Sequence, residues 1–156
     1  MSTSNITTNL NMLSPGNFKV TIDSKEYANI QFFCTAASVP SISQSEIQTG
    51  YKNNNAYIPG DTIEYGTLDV NFIIDEEMTN YLEIHDWLIT NKSTNPKYRD
   101  ITLSILTNKN TVNKQILFHD AFPTSLGALE FTTQDTGVEY LSTTATFRYN
   151  RYEFLR

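Results

Sequence analysis

Two histidines, each followed by an aspartate, are the residues of this chain with the clearest capacity for chemistry: His85-Asp86 and His119-Asp120. Histidine beside a carboxylate can move a proton near neutral pH. Adjacent residues, however, do not face each other on a helix or on a strand. A Ser-His-Asp arrangement would have to be assembled by tertiary folding, and no G-x-S-x-G elbow supplies the serine. Neither HxxxH nor HxH spacing occurs, so the histidines do not read as a metal pair. His85 reads instead as a packed histidine at the edge of a core. The acidic run Asp75-Glu76-Glu77 lacks a second carboxylate cluster for glycoside or cation chemistry. It reads as a helix start, where negative charge complements the dipole. Pro59-Gly60-Asp61 is not followed by Gly-Lys-Ser/Thr and is no phosphate loop. Cys34 is the sole cysteine. It excludes an internal disulfide and a cysteine-based zinc site, and is expected to be a small buried core residue. No residue is assigned a catalytic, cofactor-binding or metal role, no cofactor is expected, and the chain is expected not to be an enzyme.

The elements around these residues read mostly as strands. Residues 1–16 are rich in Ser, Thr and Asn, carry Leu10, Met12 and Leu13, and close on Ser14-Pro15-Gly16 as a turn. They form an N-terminal arm that a partner would order, ahead of a single β domain over 17–156. Phe18 to Asp23 alternates apolar and polar, the pattern of a half-buried strand. Ile30 to Ala37 has apolar residues on both faces, which predicts a strand covered on both sides and ended by Pro40. Residues 41–61 predict a long hairpin: two weak strands about an Asn-rich turn, with Ile47, Tyr51, Tyr57 and Ile58 as its apolar content. Such a hairpin is marginal alone in water. A surface loop and an arm held by a neighbouring subunit fit the pattern equally.

Gly66 to Ile74 turns Leu68, Val70, Phe72 and Ile74 inward and Asp69 and Asn71 outward. A helix over 75–90 follows, capped by Asp75, with Met78, Tyr81, Leu82, His85, Leu88 and Ile89 on one broad face and Ile84 at its flank. It is too short to stand alone and must lie on a sheet. Ile101 to Ile105 and Gln115 to Phe118 predict a hairpin about Asn108-Lys109-Asn110. Residues 121–127 read as a turn-rich connection. Leu129 to Thr133 and Val138 to Phe154 read as a last hairpin, with Leu141, Ala145, Phe147 and Tyr149 on one face of its long second strand. About eight strands and one helix, without βαβ alternation, give a mainly β fold: an antiparallel sandwich or barrel with one α-helix packed on it.

Composition narrows the partners. A chain of 156 residues buries roughly 70% of its unfolded surface and needs no metal or disulfide staple. The net charge is −6, with 11 Lys+Arg against 17 Asp+Glu. Nucleic-acid binders draw most of their affinity from basic patches on phosphate. The nearest thing to one, Arg148, Arg151 and Arg156, reads as solvated strand-end charge. The N-terminus lacks the charged and apolar regions of a signal peptide, no window approaches 18 apolar residues, and no membrane partner is expected.

Taken in order, several short stretches resemble the tube-fold proteins of contractile phage tails. Phe32-Phe33-Cys34-Thr35-Ala36-Ala37-Ser38-Val39-Pro40 is similar to their "FxCxAAxxP" strand end, and Pro59-Gly60-Asp61-Thr62-Ile63 to the "PGDxI" return of their long hairpin. Leu68 to Glu76, followed by Asn80-Tyr81 and Trp87, resembles "LxVxFxVDEdxxNYxxIxxW". Phe122 to Leu126 and Ala145 to Tyr149 resemble the C-terminal part. The likeness spans about residues 12–154 and is nearest to the branch of tail completion and sheath stabiliser proteins, or tube terminators. The alternative is the major tail tube protein or a related tube protein of a contractile injection system.

The resemblance implies a β-sandwich of the phage tail tube type that forms a homohexameric ring at the head-proximal end of the tail. Such a ring would terminate the tube and stabilise the sheath, meeting the last tube ring, the sheath or its terminator, and neck proteins. DNA would pass through its lumen only in transit, and the ring would be assembled in the host cytoplasm as part of the virion. The inter-subunit contacts are expected from the hairpin residues Tyr51, Lys52, Asn53, Asn54, Asn55 and Tyr57, and from Leu10, Met12 and Leu13 of the arm.

Overall fold

Nine strands and one helix are found among the residues that the structure, a computed structural model, describes: 12–23, 34–134, 137 and 139–155. In chain order they are β1 (Phe18–Ile22), β2 (Cys34–Ala37), β3 (Ile42–Tyr51), β4 (Asn54–Tyr65), β5 (Leu68–Ile73), α1 (Thr79–Asn91), β6 (Arg99–Leu106), β7 (Val112–Leu126), β8 (Ser142–Arg148) and β9 (Arg151–Leu155). Every pairing is antiparallel. β1, β6, the first part of β7 and β9 lie side by side. The end of β7, then β8, β5 and β2 continue the sheet, and β3 pairs only with β4.

β7 thus changes neighbours along its length, and the change falls at Asp120, which takes a left-handed φ of 53°. Aspartate tolerates that region better than most residues. Hydrogen bonds fix the corner. The Asp120 N–H donates to Asp100 Oδ1 at 3.1 Å, and Asn150 donates from its N–H to the His119 carbonyl at 3.0 Å and from Nδ2 to Asp120 Oδ2 at 3.0 Å.

The core lies between these strands and α1. Val20 and Ile22 of β1, Leu68, Val70 and Phe72 of β5, Ile101 and Leu103 of β6, Ile116 and Phe118 of β7, and Ala145 and Phe147 of β8 are all buried. α1 contributes Ile84 and Trp87, and the Trp87 ring sits 5.9 Å from that of Phe147. Trp87 also donates from Nε1 to the Lys97 carbonyl at 2.9 Å, which ties the loop after the helix to the core.

The helix departs from the sequence reading in two ways. It begins at Thr79, not at 75, because Met78 adopts a left-handed backbone (φ 57°, ψ 24°), and no acidic residue stands in its first turn. Asp75 still serves the helix from the turn before it. Its carboxylate accepts from the Thr79 hydroxyl, and from the Asn80 N–H at 3.3 Å. Burial would raise the Asp75 pKa, but these bonds outweigh it and hold the carboxyl below its usual value. The buried face is also different: it is Asn80, Ile84 and Trp87. Leu82, His85 and Ile89 are exposed, so His85 is not a core-edge residue. Fully buried Asn80 donates from Nδ2 to the Ile73 carbonyl at 2.7 Å and locks the helix start onto the end of β5.

Four strand expectations are corrected as well. Residues 121–126 are part of β7, not a turn; Pro123 is accommodated beside a register shift between Pro123 and Ser125. Residues 129–133 form no strand, and β8 pairs with β5 and β7 instead. The long last strand breaks at Tyr149-Asn150 into β8 and β9. Of the expected strand 30–37, the part over 30–33 lies outside the described residues. Thr35 and Ala36 are exposed, so β2 is not covered on both sides within the chain, and Cys34 is half-buried.

Candidate assembly interface

The β3–β4 hairpin is a limb built almost wholly of exposed residues. All ten residues of β3 are exposed, and in β4 only Gly60 is buried and Tyr65 half-buried. It runs to Tyr65, beyond the 41–61 read from the sequence. Two residues, Lys52 and Asn53, turn the chain between the paired Tyr51 and Asn54, with Lys52 at a left-handed φ of 48°. Antiparallel register sorts the outer half into two faces. Ile47 opposes Ile58, Thr49 opposes Ala56 and Tyr51 opposes Asn54 on one face; Gln48 opposes Tyr57 and Gly50 opposes Asn55 on the other. The first face is the more apolar. Ile47 and Ile58 at its centre were absent from the interface residues expected from sequence, although the alternation of Ile47, Thr49, Tyr51 and Asn54, Ala56, Ile58 about the turn carries the signal.

The Pro59-Gly60-Asp61 motif shapes this limb. Gln44 pairs with Ile63 and Glu46 with Pro59, so three residues of β4 face the single Ser45 of β3. Gly60 lies so close to Ser45 that a Cβ there would come within 2.7 Å of the Ser45 backbone oxygen. Only glycine permits that approach. Gln44 Nε2 donates to the Gly60 carbonyl at 2.9 Å across the irregularity.

The base of the limb is anchored to the body. The Gly66 N–H donates to the Ser41 carbonyl at 2.9 Å, Arg148 Nη1 to the Tyr65 carbonyl at 3.2 Å, and the Tyr149 hydroxyl to the Gly66 carbonyl at 2.8 Å. Tyr65, Tyr149 and Tyr152 stack around this point, with centroids 5.3–6.1 Å apart. Burial, with the neighbouring tyrosines, pushes the Tyr149 pKa up to about 12 against the opposing pull of Arg148.

Of the arm residues, Leu10 lies outside the described residues, while Met12 and Leu13 are exposed. The hairpin residues Tyr51, Lys52, Asn53, Asn54, Asn55 and Tyr57 gather at the limb's tip, all exposed. Further apolar surface stands on the body: Leu82 and Ile89 on α1, Phe131 and Tyr140 on the β7–β8 connection, and Phe154 and Leu155 on β9.

The His–Asp pairs do not form a site. His85 Nδ1 lies 3.4 Å from Asp86 Oδ1, a contact between neighbours that the sequence reading did not expect, with both side chains open to solvent. His119 meets Glu153 at 2.9 Å and Asp100 at 3.9 Å, and no serine or other nucleophile contacts it in these bonds. Burial raises the Cys34 pKa to about 11, which leaves its thiol a poor nucleophile. No cluster of three metal-ligating side chains occurs among the described residues. No helix among them is long and apolar enough to cross a membrane.

A limb with exposed apolar faces standing on a buried β core is a surface suited to assembly with other chains. The chain belongs to the phage tail tube protein family, whose model matches residues 3–155. It is 30% identical to the tail tube terminator protein of Enterobacteria phage T4, over 92% of this chain and 89% of that one. Its fold is similar to a chain of the sheath/tube terminator of the extracellular contractile injection system PVC in the extended state (TM-score 0.76, 19% identity, 94% of this chain and 98% of that one). It is as similar to a chain of the PVC sheath–tube complex (TM-score 0.75, 19% identity, 99% and 98%). The fold is thus shared by tube and terminator. The relative by sequence is a terminator, and the chain is a terminator-like structural protein of contractile tails.

Proposed function

We propose that the chain forms a homohexameric ring at the head-proximal end of a contractile tail tube, where it ends the tube and stabilises the last sheath layer. The observation that carries this reading is the 30% identity to a tail tube terminator along nearly the whole of both chains. The structure supplies the physical means. A hairpin with all of β3 exposed gains stability only by packing on another chain, so Tyr51, Lys52, Asn53, Asn54, Asn55 and Tyr57 serve as inter-subunit contacts, with Met12 and Leu13 of the arm as a second set and Leu10 beside them in sequence. The last tube ring, the sheath or its terminator and the neck proteins are the other partners, and DNA passes through the lumen without being held.

Negative-stain electron microscopy, with light scattering across concentration, tests the reading. Closed rings that do not stack are expected. Long hollow filaments would make this chain the tube subunit itself, the alternative that has the same fold.

A further inference from the structure

One surface of the body is suited to receive the limb. The N-terminal residues 12–14 and the β6–β7 turn enclose a groove of about 710 Å³. Met12, Leu13, Ile105 and Leu106 supply its apolar wall, and the exposed Lys109 and Lys114 stand alongside; none of the described residues that line it is acidic. That is unusual in a chain of net charge −6.

The hairpin is complementary in both respects. Its apolar face centres on the Ile47–Ile58 pair, and Glu46, Asp61 and Glu64 on its strands outnumber Lys52 at its tip. Other apolar patches fit it less well. Leu82 and Ile89 on α1 lie near the exposed Asp86 and Lys92, one charge of each sign, and offer no net attraction, while Phe131 and Tyr140 lie next to Glu130 and Glu139 in sequence. Acidic surroundings at Phe131 and Tyr140 would repel an acidic limb. Phe154 and Leu155 have Arg151, Glu153 and Arg156 beside them in sequence, a smaller positive balance than Lys109 and Lys114 give the groove.

We infer that the groove between residues 12–14 and the β6–β7 turn receives the β3–β4 hairpin of a second copy of this chain. The inference rests on the ring reading above and names the surface through which copies engage. It also gives Met12 and Leu13 a defined role, as part of the receiving wall.

Disulfide trapping between two singly substituted chains tests it, in a Cys34→Ala background. Ile58→Cys chains are mixed with Leu13→Cys chains, and in parallel with Ile89→Cys chains as a control on the helix; all three positions are exposed. Each mixture is oxidised at a concentration where light scattering reports assembly. The Ile58–Leu13 disulfide is expected in at least about five-fold excess over the control, identified by mass spectrometry of the linked peptide. A yield no higher than the control overturns the inference. An independent arm uses the full-length chain with Lys109→Glu and Lys114→Glu, both on the surface. It is expected to raise the concentration for half-assembly about ten-fold, and an unchanged value again overturns the assignment. Rings that form normally without the hairpin–groove disulfide discard the groove and leave the ring reading intact. A chain that does not assemble at any concentration discards both.

Discussion

Asn80 shows how a motif residue that looks functional can be wholly structural. It is fully buried, its amide donates to the Ile73 carbonyl at 2.7 Å, and its Oδ1 accepts from the Tyr81 N–H at 2.9 Å. An unpaired buried acceptor costs about 1–3 kcal/mol, so Asn80→Leu should destabilise the chain by about that amount. Thermal unfolding followed by circular dichroism should fall by about 2–4 °C for each kcal/mol in a chain of this size; a midpoint within 1 °C of wild type would refute the role. Tyr149 makes a second, pH-dependent prediction. Its pKa is raised from 10.0 to about 12 in the folded chain, so the protonated form is the one the fold favours. Its contribution is therefore complete below pH 10 and is lost as pH rises towards 12. Tyr149→Phe should lose about 1 kcal/mol at neutral pH with the Gly66 hydrogen bond, and its stability should decline less steeply than wild type between pH 10 and 12 in urea titrations. Parallel alkaline profiles for the two proteins would rule out this account.

The hairpin and the helix carry the argument at the scale of elements. Deleting residues 52–56 should leave the body folded, because that stretch lies in the exposed outer part of the limb, while ring assembly weakens; normal hexamers by light scattering would remove the hairpin from the interface. Gly60→Val is the gentler test. Its side chain would collide with the Ser45 backbone, open the irregularity and re-aim the outer half of the limb, so a ten-fold weaker assembly with an unfolding midpoint within about 2 °C is expected. What the sequence made legible was set by where each residue is buried. Leu68, Val70 and Phe72 read correctly because their burial is internal and has period two. Leu82 and Ile89 were misread as core because periodicity reports apolarity and not which chain covers it; both are exposed here. The helix start was misplaced because Asp75 does accept helix N–H bonds, but from across a turn whose left-handed Met78 leaves no sequence signal. The sequence ends β7 at Phe118 and reads 121–127 as a turn because a bulge that tolerates Pro123 depends on the register of β8. Ile47 and Ile58 stand outside the expected contact set although their alternation about the turn is legible in the sequence, and the pairing register sets them opposite each other.

For the whole molecule, charge bears on how the proposed ring would treat DNA. With net charge −6, bringing DNA phosphates near the surface releases few counterions and adds repulsion, whereas a binder gains affinity with each phosphate it neutralises. Among the described residues, Lys109 and Lys114 border the groove, Lys52 is at the limb's tip, and Arg148 donates to the Tyr65 carbonyl. A wall that holds DNA would resist its passage, so a conduit works best with weak, non-specific contact. Fluorescence anisotropy of a labelled duplex, titrated with assembled rings at about 0.15 M salt, a condition where exposed charges more than about 8 Å apart are largely screened, should show no saturable binding up to about 100 μM, the weak end of non-specific DNA affinity. Lowering the salt tenfold should leave this unchanged, because a surface without phosphate contacts has no counterions to release. A dissociation constant in the low micromolar range that tightens steeply at low salt would mean that the rings grip DNA, and the lumen would then be a binding surface and not a passage.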